Sequence, residues 1–236
     1  MHREKTIVTS SKAYSRELAE KYDYRHFGGQ SGQFILSKDV RTLLSLLPPP
    51  PALVLDIPCG TGVYTDALTK QGYRTIAADA SGSMLQIAGL YQPQKARLQA
   101  DIAGLPVDDN ALDIVVTLRL FSHFESVEIA RSLRELGRVI KPGGRVIFDS
   151  FRWTPRRWPV LRSIVEQSYI HEYSYDETVA TIGEAGLRVV DTRWSYLFSP
   201  ILQRRLPASI VRGLDRFETL LPDRWLLRTF WACTKH

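Results

Sequence analysis

From Ala52 to Phe148 the chain alternates short apolar runs with longer amphipathic ones, a pattern that few folds accommodate. Short runs buried on both faces suit parallel strands, and the amphipathic stretches between them suit helices that cross back over a sheet. Five strands are expected at Leu53–Ile57, Thr75–Ala78, Arg97–Ala100, Asp113–Thr117 and Arg145–Phe148, with helices near Tyr64–Lys70, Ser83–Leu90 and Glu128–Val139. Right-handed crossovers between such units give an open α/β sheet, and ligands of such sheets sit beyond the carboxyl ends of the strands.

The flanks differ in character. Residues 1 to about 50 are mixed and polar, with Tyr22-Asp-Tyr-Arg-His-Phe27 followed by Gly28, Gly29 and Gly32, and they suggest an N-terminal helical cap joined by a loop. A helical stretch around Lys38–Leu47 then meets four prolines from Pro48 to Pro51, which lack the donor a helix needs. Beyond Phe151 comes an irregular basic and aromatic stretch, Arg152-Trp-Thr-Pro-Arg-Arg-Trp-Pro159. Ser174-Tyr-Asp-Glu177 then has the spacing of a capping box that starts a helix, and Gly186 ends it. Two further strands are expected at Leu187–Tyr196 and Arg228–Thr234, separated by an Arg-containing amphipathic segment from Ser199 to about Arg224.

The chemistry concentrates at strand ends. In Leu55-Asp-Ile-Pro-Cys-Gly-Thr-Gly62 a strand ends in an acid and turns through two glycines toward a helix. Gly60 and Gly62 permit backbone conformations closed to other residues, and the helix start offers unpaired N–H groups, so a nucleotide-like ligand or an ordinary tight turn both fit. A second acid, Asp79, ends the next strand, about the 20 residues further on at which a carboxylate holds a ribose. Thr65 stands where a dinucleotide fingerprint requires its third glycine, which weakens the case for NAD.

Taken in order, these segments resemble the class I S-adenosylmethionine (SAM)-dependent methyltransferases, especially the branch with ubiquinone and menaquinone C-methyltransferases. The resemblance is carried by Val54-Leu-Asp-Ile-Pro-Cys-Gly-Thr-Gly62, Ala78-Asp-Ala-Ser81 with Met84-Leu85, and Ala100-Asp-Ile-Ala-Gly-Leu-Pro106. It continues in Ala111-Leu-Asp-Ile-Val-Val116, Phe121-Ser-His-Phe124 and Glu135-Leu-Gly-Arg-Val-Ile-Lys-Pro-Gly-Gly144. It implies a Rossmann-like, doubly wound, seven-stranded and mostly parallel sheet with an antiparallel last strand, an N-terminal helical cap and a helical insertion before that strand. The whole of residues 1–236 then reads as a single domain: a cap to residue 50, a SAM-binding core over 51–150, and an acceptor-side and C-terminal part over 151–236.

The resemblance also implies roles for residues. The turn from Asp56 through Pro58, Cys59 and Gly60 to Gly62 is expected to wrap the methionine part of SAM, Asp79 to hold the ribose, and Asp101 to accept from the adenine amino group beside the Ile102 N–H. Ala80 and Met84 are expected at the adenine face, and the main chain of Thr117 and Leu118 at the methionyl ammonium. Pro58 departs from the family's usual glycine and offers no N–H. Tyr22, Tyr24 and Arg25 suit a cap closing over SAM, with Arg25 on its carboxylate, or else an exposed polar helix. His123 has two readings, a base that takes the acceptor's proton and a hydrogen-bonded packing residue.

Composition bounds the partners. The charge of +6 is spread along the chain without a block of like charges, no RNA-binding module is legible, and Thr117-Leu-Arg-Leu120 replaces the Asn/Asp-Pro-Pro-aromatic motif of base-amino methyltransferases. A small-molecule acceptor is therefore expected rather than nucleic acid, with an RNA or protein methyltransferase and a non-catalytic SAM-binding protein as the alternatives. Trp153, Trp158, Tyr169, Tyr173, Trp194 and Tyr196 suit an aromatic or lipid-like pocket, or equally the core. The segment 199–222, apolar but punctuated by Arg204, Arg205 and Arg212, has two readings: a lid with peripheral membrane contact, or a hairpin covering the sheet edge. Cys59 and Cys233 form no CxxC pair and no metal set, there is no apolar run of about 18 residues, and Met1–Thr6 opens no signal-like stretch, so a cytoplasmic protein is expected.

Overall fold

The computed structural model describes residues 16–92, 95–152, 171–197, 200–203 and 205–236. In chain order the helices are α1 Arg16–Phe27, α2 Gly29–Leu44, α3 Val63–Lys70, α4 Gly82–Tyr91, α5 Ser126–Val139, α6 Tyr175–Glu184, α7 Pro200–Gln203 and α8 Ala208–Glu218. The strands are β1 Leu53–Asp56, β2 Arg74–Asp79, β3 Ala96–Gln99, β4 Leu112–Thr117, β5 Ile140–Phe151, β6 Leu187–Ser195 and β7 Arg228–Lys235. They form one seven-stranded sheet in the order β3-β2-β1-β4-β5-β7-β6. Its β3 to β5 neighbours are parallel, whereas β7 runs antiparallel to both β5 and β6. The expected architecture is the observed one.

Successive side chains of a strand point to opposite faces, and the sheet uses both. Leu55, Val115, Val146 and Phe148 join Leu133 and Leu136 of α5 and Ile182 of α6 in one core. Val54, Ile114, Val116, Ile147 and Phe230 join Leu43 of α2 and Tyr64 and Leu68 of α3 in the other. Double-sided burial is why these strands read as continuous apolar runs, each buried large side chain contributing about 1.5–3 kcal/mol. The capping box at α6 forms as expected, the Glu177 N–H donating to Ser174 Oγ at 3.2 Å and the Ser174 N–H to Glu177 Oε2 at 2.8 Å. Gly186 follows with a left-handed φ of 75°.

Three expectations change. The loop anticipated across Gly28–Gly32 shrinks to a single junction residue, because α2 starts at Gly29 and absorbs Gly32. A Cβ at Gly32 would lie 2.5 Å from the Phe27 carbonyl carbon, so the glycine serves a close approach of α1 to α2 rather than a loop. Strand β5 is twelve residues long, not four, with its start split from the rest by a register shift between Leu112 and Ile114 of β4. Of the two readings of the segment after β6, the structure has two helices rather than one lid helix, Pro207 standing before α8. Helix α8 docks on α2, where buried Lys38 pairs with Glu218 and, at 2.9 Å, with Asp215, and Glu218 also accepts the Tyr196 and Leu197 N–H groups just after β6 at 3.1 and 2.9 Å.

A buried ionic network ties the last strand to the second helix. Arg228 of β7 donates through Nε to Asp149 of β5 at 2.7 Å and through Nη1 to Asp39 of α2 at 2.9 Å. The Tyr64 and Tyr196 hydroxyls donate to the two oxygens of Asp39 at 2.8 and 2.6 Å. Burial, ahead of the Asp39 charge, pushes both phenols well above their usual range, so they remain donors. Tyr196 is thus a core residue.

Candidate active site

The strand order reverses between β1 and β4, which opens a cleft at the carboxyl edge of the sheet. Four expected site segments converge there: Asp56 ends β1, Asp79 ends β2, Asp101 follows β3, and Thr117 ends β4. In the turn after β1, Gly60 and Gly62 have φ of 54° and 86°, the left-handed region that disfavours side chains. A Cβ at Gly62 would also press to 3.2 Å on Ala88 of α4, whereas one at Gly60 would meet no atom within 4 Å. The main chain at Gly60 therefore borders open space. The turn is braced from below by the Cys59 N–H donating to the Ala78 carbonyl at 2.7 Å, while burial raises the Cys59 thiol far above its usual range and keeps it neutral.

Asp56 is fully buried and braces the same turn, because Oδ2 accepts the Thr65 hydroxyl at 2.5 Å. Thr65, which breaks the dinucleotide fingerprint, thereby gains a role of its own. Oδ1 of Asp56 is buried without a partner, and burial, reinforced by the Asp79 charge, pushes this carboxyl up to about 7.

Asp79 accepts the Gly60 N–H on Oδ2 at 2.9 Å and the Ser81 N–H on Oδ1 at 2.8 Å. One ribose-distance acid thus holds the glycine turn and the start of α4 together. Burial raises its pKa, and the two N–H groups pull it back down. Each carboxylate oxygen retains further lone-pair capacity for a ligand. Asp101 is exposed beyond β3, its Oδ1 accepting the Ala103 N–H at 2.8 Å, and Ile102 beside it is buried. Ala80 is half-buried between Asp79 and Ser81, whose hydroxyl caps α4 at the Met84 N–H.

Helix α1 lies across this edge. Met84 is buried against Ala19 of α1 with Ile87, and Tyr22 packs on the same group. Asp23, one residue on, accepts a short hydrogen bond from the Thr61 hydroxyl between the two glycines. Burial raises the Asp23 carboxyl, and the Thr61 hydrogen bond opposes the shift. Tyr24 is exposed, and the Arg25 side chain lies outside the described residues.

After β4, Leu118 is buried and Arg119 takes a left-handed φ of 64°. The Arg119 N–H donates to Asp149 Oδ1 at 2.6 Å. Thr117 Oγ1 is buried without a partner. His123 is exposed on the short 3-10 turn Phe121–His123, across which the returning chain lies: the His171 N–H donates to the Ser122 carbonyl at 2.6 Å, and the Tyr173 hydroxyl donates to the Phe124 carbonyl. Trp194 is half-buried and stacks on Tyr175 at 5.8 Å, while Trp153, Trp158 and Tyr169 lie outside the described residues.

Asp23, Arg119 and Asp149 were missed as site residues in the sequence. Asp149 carries a signal, an acid near the end of an apolar strand, but the strand expected from the sequence ends at Phe148 whereas β5 runs to Phe151. Asp23 carried none, since only the packing of α1 brings it to Thr61.

Residues 55–148 match the family model described as a methyltransferase domain. That stretch is a methyltransferase domain. An uncharacterized methyltransferase of Mycobacterium bovis is 36% identical over 101 residues, covering 43% of this chain and 40% of that protein. Demethylmenaquinone methyltransferase of Clavibacter sepedonicus is 34% identical over 119 residues, covering 49% of this chain and 48% of that protein. The chain therefore matches less than half the length of these two relatives. The magnesium protoporphyrin IX methyltransferase of Synechocystis, solved with bound S-adenosylhomocysteine (SAH), superposes with a TM-score of 0.63 at 16% identity, over 92% of this chain and 93% of that one, a likeness of fold. Among the described residues no group of side chains forms a metal site, and no helix is long and apolar enough to cross a membrane.

Proposed function

We propose that this protein transfers the methyl group of SAM to a small, hydrophobic or aromatic acceptor. The observation that carries the reading is Asp79, whose two oxygens hold the glycine turn and the α4 start while keeping lone pairs for a vicinal diol. The cleft fits the cofactor at other points: Gly60 presents bare main chain to open space, and Asp56 Oδ1 and Thr117 Oγ1 are buried polar atoms without partners. In this reading the turn from Asp56 through Pro58, Cys59, Gly60 and Gly62 wraps the methionyl part, and Asp79 takes the ribose. Asp101 and Ile102 take the adenine edge, Ala80 and Met84 its face, and Thr117 and Leu118 the ammonium.

SAM supplies an electrophilic methyl carbon on a sulfonium. The chain's work would be positioning, the residues named above holding that carbon toward an acceptor lone pair. His123 stands exposed on the acceptor side, where an imidazole takes the proton that the acceptor loses. Tyr22, Arg25 and the rest of α1 form the cap over the cofactor.

The acceptor reaches the site from a hydrophobic phase. Helix α8 buries Val211, and Glu218 against Lys38 of α2, but leaves Ile210 and Phe217 exposed, with Leu220 beyond them and exposed Arg205, Arg212 and Arg216 nearby. An exposed apolar stripe beside cations suits an anionic lipid surface, and residues 199–222 are assigned that peripheral contact.

Calorimetry with SAM and SAH on the full chain tests the reading, followed by turnover of methyl-labelled SAM against quinols, phenols, amines and fatty acids. Micromolar-range binding with label in an organic product is expected. A folded sample that binds neither ligand overturns the reading, and binding without turnover of any acceptor leaves a SAM-binding protein in its place.

A further inference from the structure

Among the described residues no carboxylate pairs with the Arg119 guanidinium, and Arg119 stands just past the carboxyl end of β4, at the edge where the cleft opens. Its main chain is fixed: φ is left-handed at 64°, and the N–H is tied to Asp149 at 2.6 Å. A non-glycine residue in that region stores strain that surrounding contacts must hold, a pattern that clusters at ligand clamps. The side chain is half-buried, its guanidinium 5.0 Å over the Phe27 ring and Nη2 2.8 Å from His26 Nδ1. That second contact requires Nδ1 to be the unprotonated nitrogen of His26, since two donors repel.

Carboxylates exist nearby, yet among the described residues none lies on this guanidinium. Asp149 gives Arg119 only a main-chain bond and spends its other oxygen on Arg228, and Asp39 also binds Arg228. The four groups balance in formal charge, so Arg119 is tolerated electrostatically while its own fork remains without an ion pair among the described residues. Nε and Nη1 make no hydrogen bond to the protein among those residues. Two elements present it to the cleft: β4, whose Thr117 and Leu118 precede it, and α1, whose His26 and Phe27 hold it from above.

We propose that Arg119 is a carboxylate-binding residue of this site, its planar fork taking the carboxylate of a ligand in the cleft while His26 and Phe27 hold it in orientation. The assignment rests on the methyltransferase reading for the identity of the cleft. The carboxylate belongs either to the amino-acid end of the cofactor or to an acidic acceptor.

The test compares the full chain with R119M and R119K. In the first arm, SAH and 5′-methylthioadenosine, which lacks the amino-acid end, are titrated into each. If the cofactor supplies the carboxylate, R119M weakens SAH by about 10- to 100-fold, leaves methylthioadenosine within about twofold, and R119K recovers part of the loss. In the second arm, protein saturated with SAH is titrated with decanoate and decanol. If the acceptor supplies it, the parent prefers the acid by about tenfold or more, R119M loses that preference, and SAH affinity is unchanged. Equal SAH affinity in parent and R119M, with no acid preference in either, overturns the proposal while leaving the methyltransferase reading standing. A parent that binds neither SAH nor methylthioadenosine sinks that reading and the proposal with it. Should R119M fail to fold, R119K carries the same comparisons, with a loss of a few-fold in the affected arm and none in the other.

Discussion

The Asp149 carboxylate fixes the main chain of Arg119 at 2.6 Å with one oxygen and the side chain of Arg228 at 2.7 Å with the other. One buried acid therefore sets both the left-handed residue at the cleft and the ionic tie between β5 and β7. Asp149→Ala removes both bonds and leaves the Arg228 Nε unpaired. Breaking a buried pair from one side costs about 3–5 kcal/mol, and a loss of that size is expected in urea unfolding. A loss below about 1 kcal/mol would mean that the network is dispensable.

Asp79→Ala should weaken SAM by about 1.5–3 kcal/mol if a charge-assisted ribose contact is lost. Calorimetry reads the affinity, and circular dichroism checks that the glycine turn, which Asp79 also braces, has not unravelled the fold. Unchanged affinity in a folded variant removes the ribose role.

The pH dependence of stability follows from Asp56. Its carboxyl sits at about 7 in the folded chain against an ordinary 3.8, so the protein prefers it protonated. For an acid raised in this way, the stabilising contribution is complete below the unfolded value and is lost as pH rises through about 7. Asp56→Asn cannot ionise, and its carbonyl still accepts the Thr65 hydroxyl. Relative to the parent, the variant should gain stability between pH 4 and pH 8, on the order of 2 kcal/mol by the upper end. Parallel thermal melts across that range make the comparison, and a flat difference would show that Asp56 ionises normally.

Vesicle sedimentation addresses the α8 surface. The parent should pellet with anionic vesicles at low salt and release at high salt, and Phe217→Ser with Leu220→Ser should reduce pelleting several-fold without lowering stability, since both side chains are exposed. If the parent does not pellet, the membrane contact is wrong.

The sheet was legible because its signals are local. Five strand cores, the Asp56-to-Gly62 turn and the Ser174 cap each lie within a few consecutive residues, where periodicity, glycine and capping chemistry act. The Gly28–Gly32 junction misled because glycine marks a loop and a tight helix contact equally well, and only the 2.5 Å approach to Phe27 separates them. Asp39, Asp149 and Arg228 were illegible as a unit. Their partnership spans 189 residues at its widest, and no local pattern reports that a charge will be buried with its counterpart. The same holds for Asp23, which meets Thr61 only once α1 has packed.

Strand β7 is the last of the strands in the chain, yet it lies between β5 and β6. On the ribosome, the parallel half of the sheet and its glycine turn emerge well before their neighbour does. Until residues 228–235 are released, β5 has an unpaired edge, and Asp39 and Asp149 lack the guanidinium that both bind. The nascent chain thus carries a finished glycine turn beside an open seam, and the arrival of Arg228 closes the seam and gives the two acids their cation in one step. Removing β7 would therefore be felt 189 residues back along the chain, at Asp39 of α2.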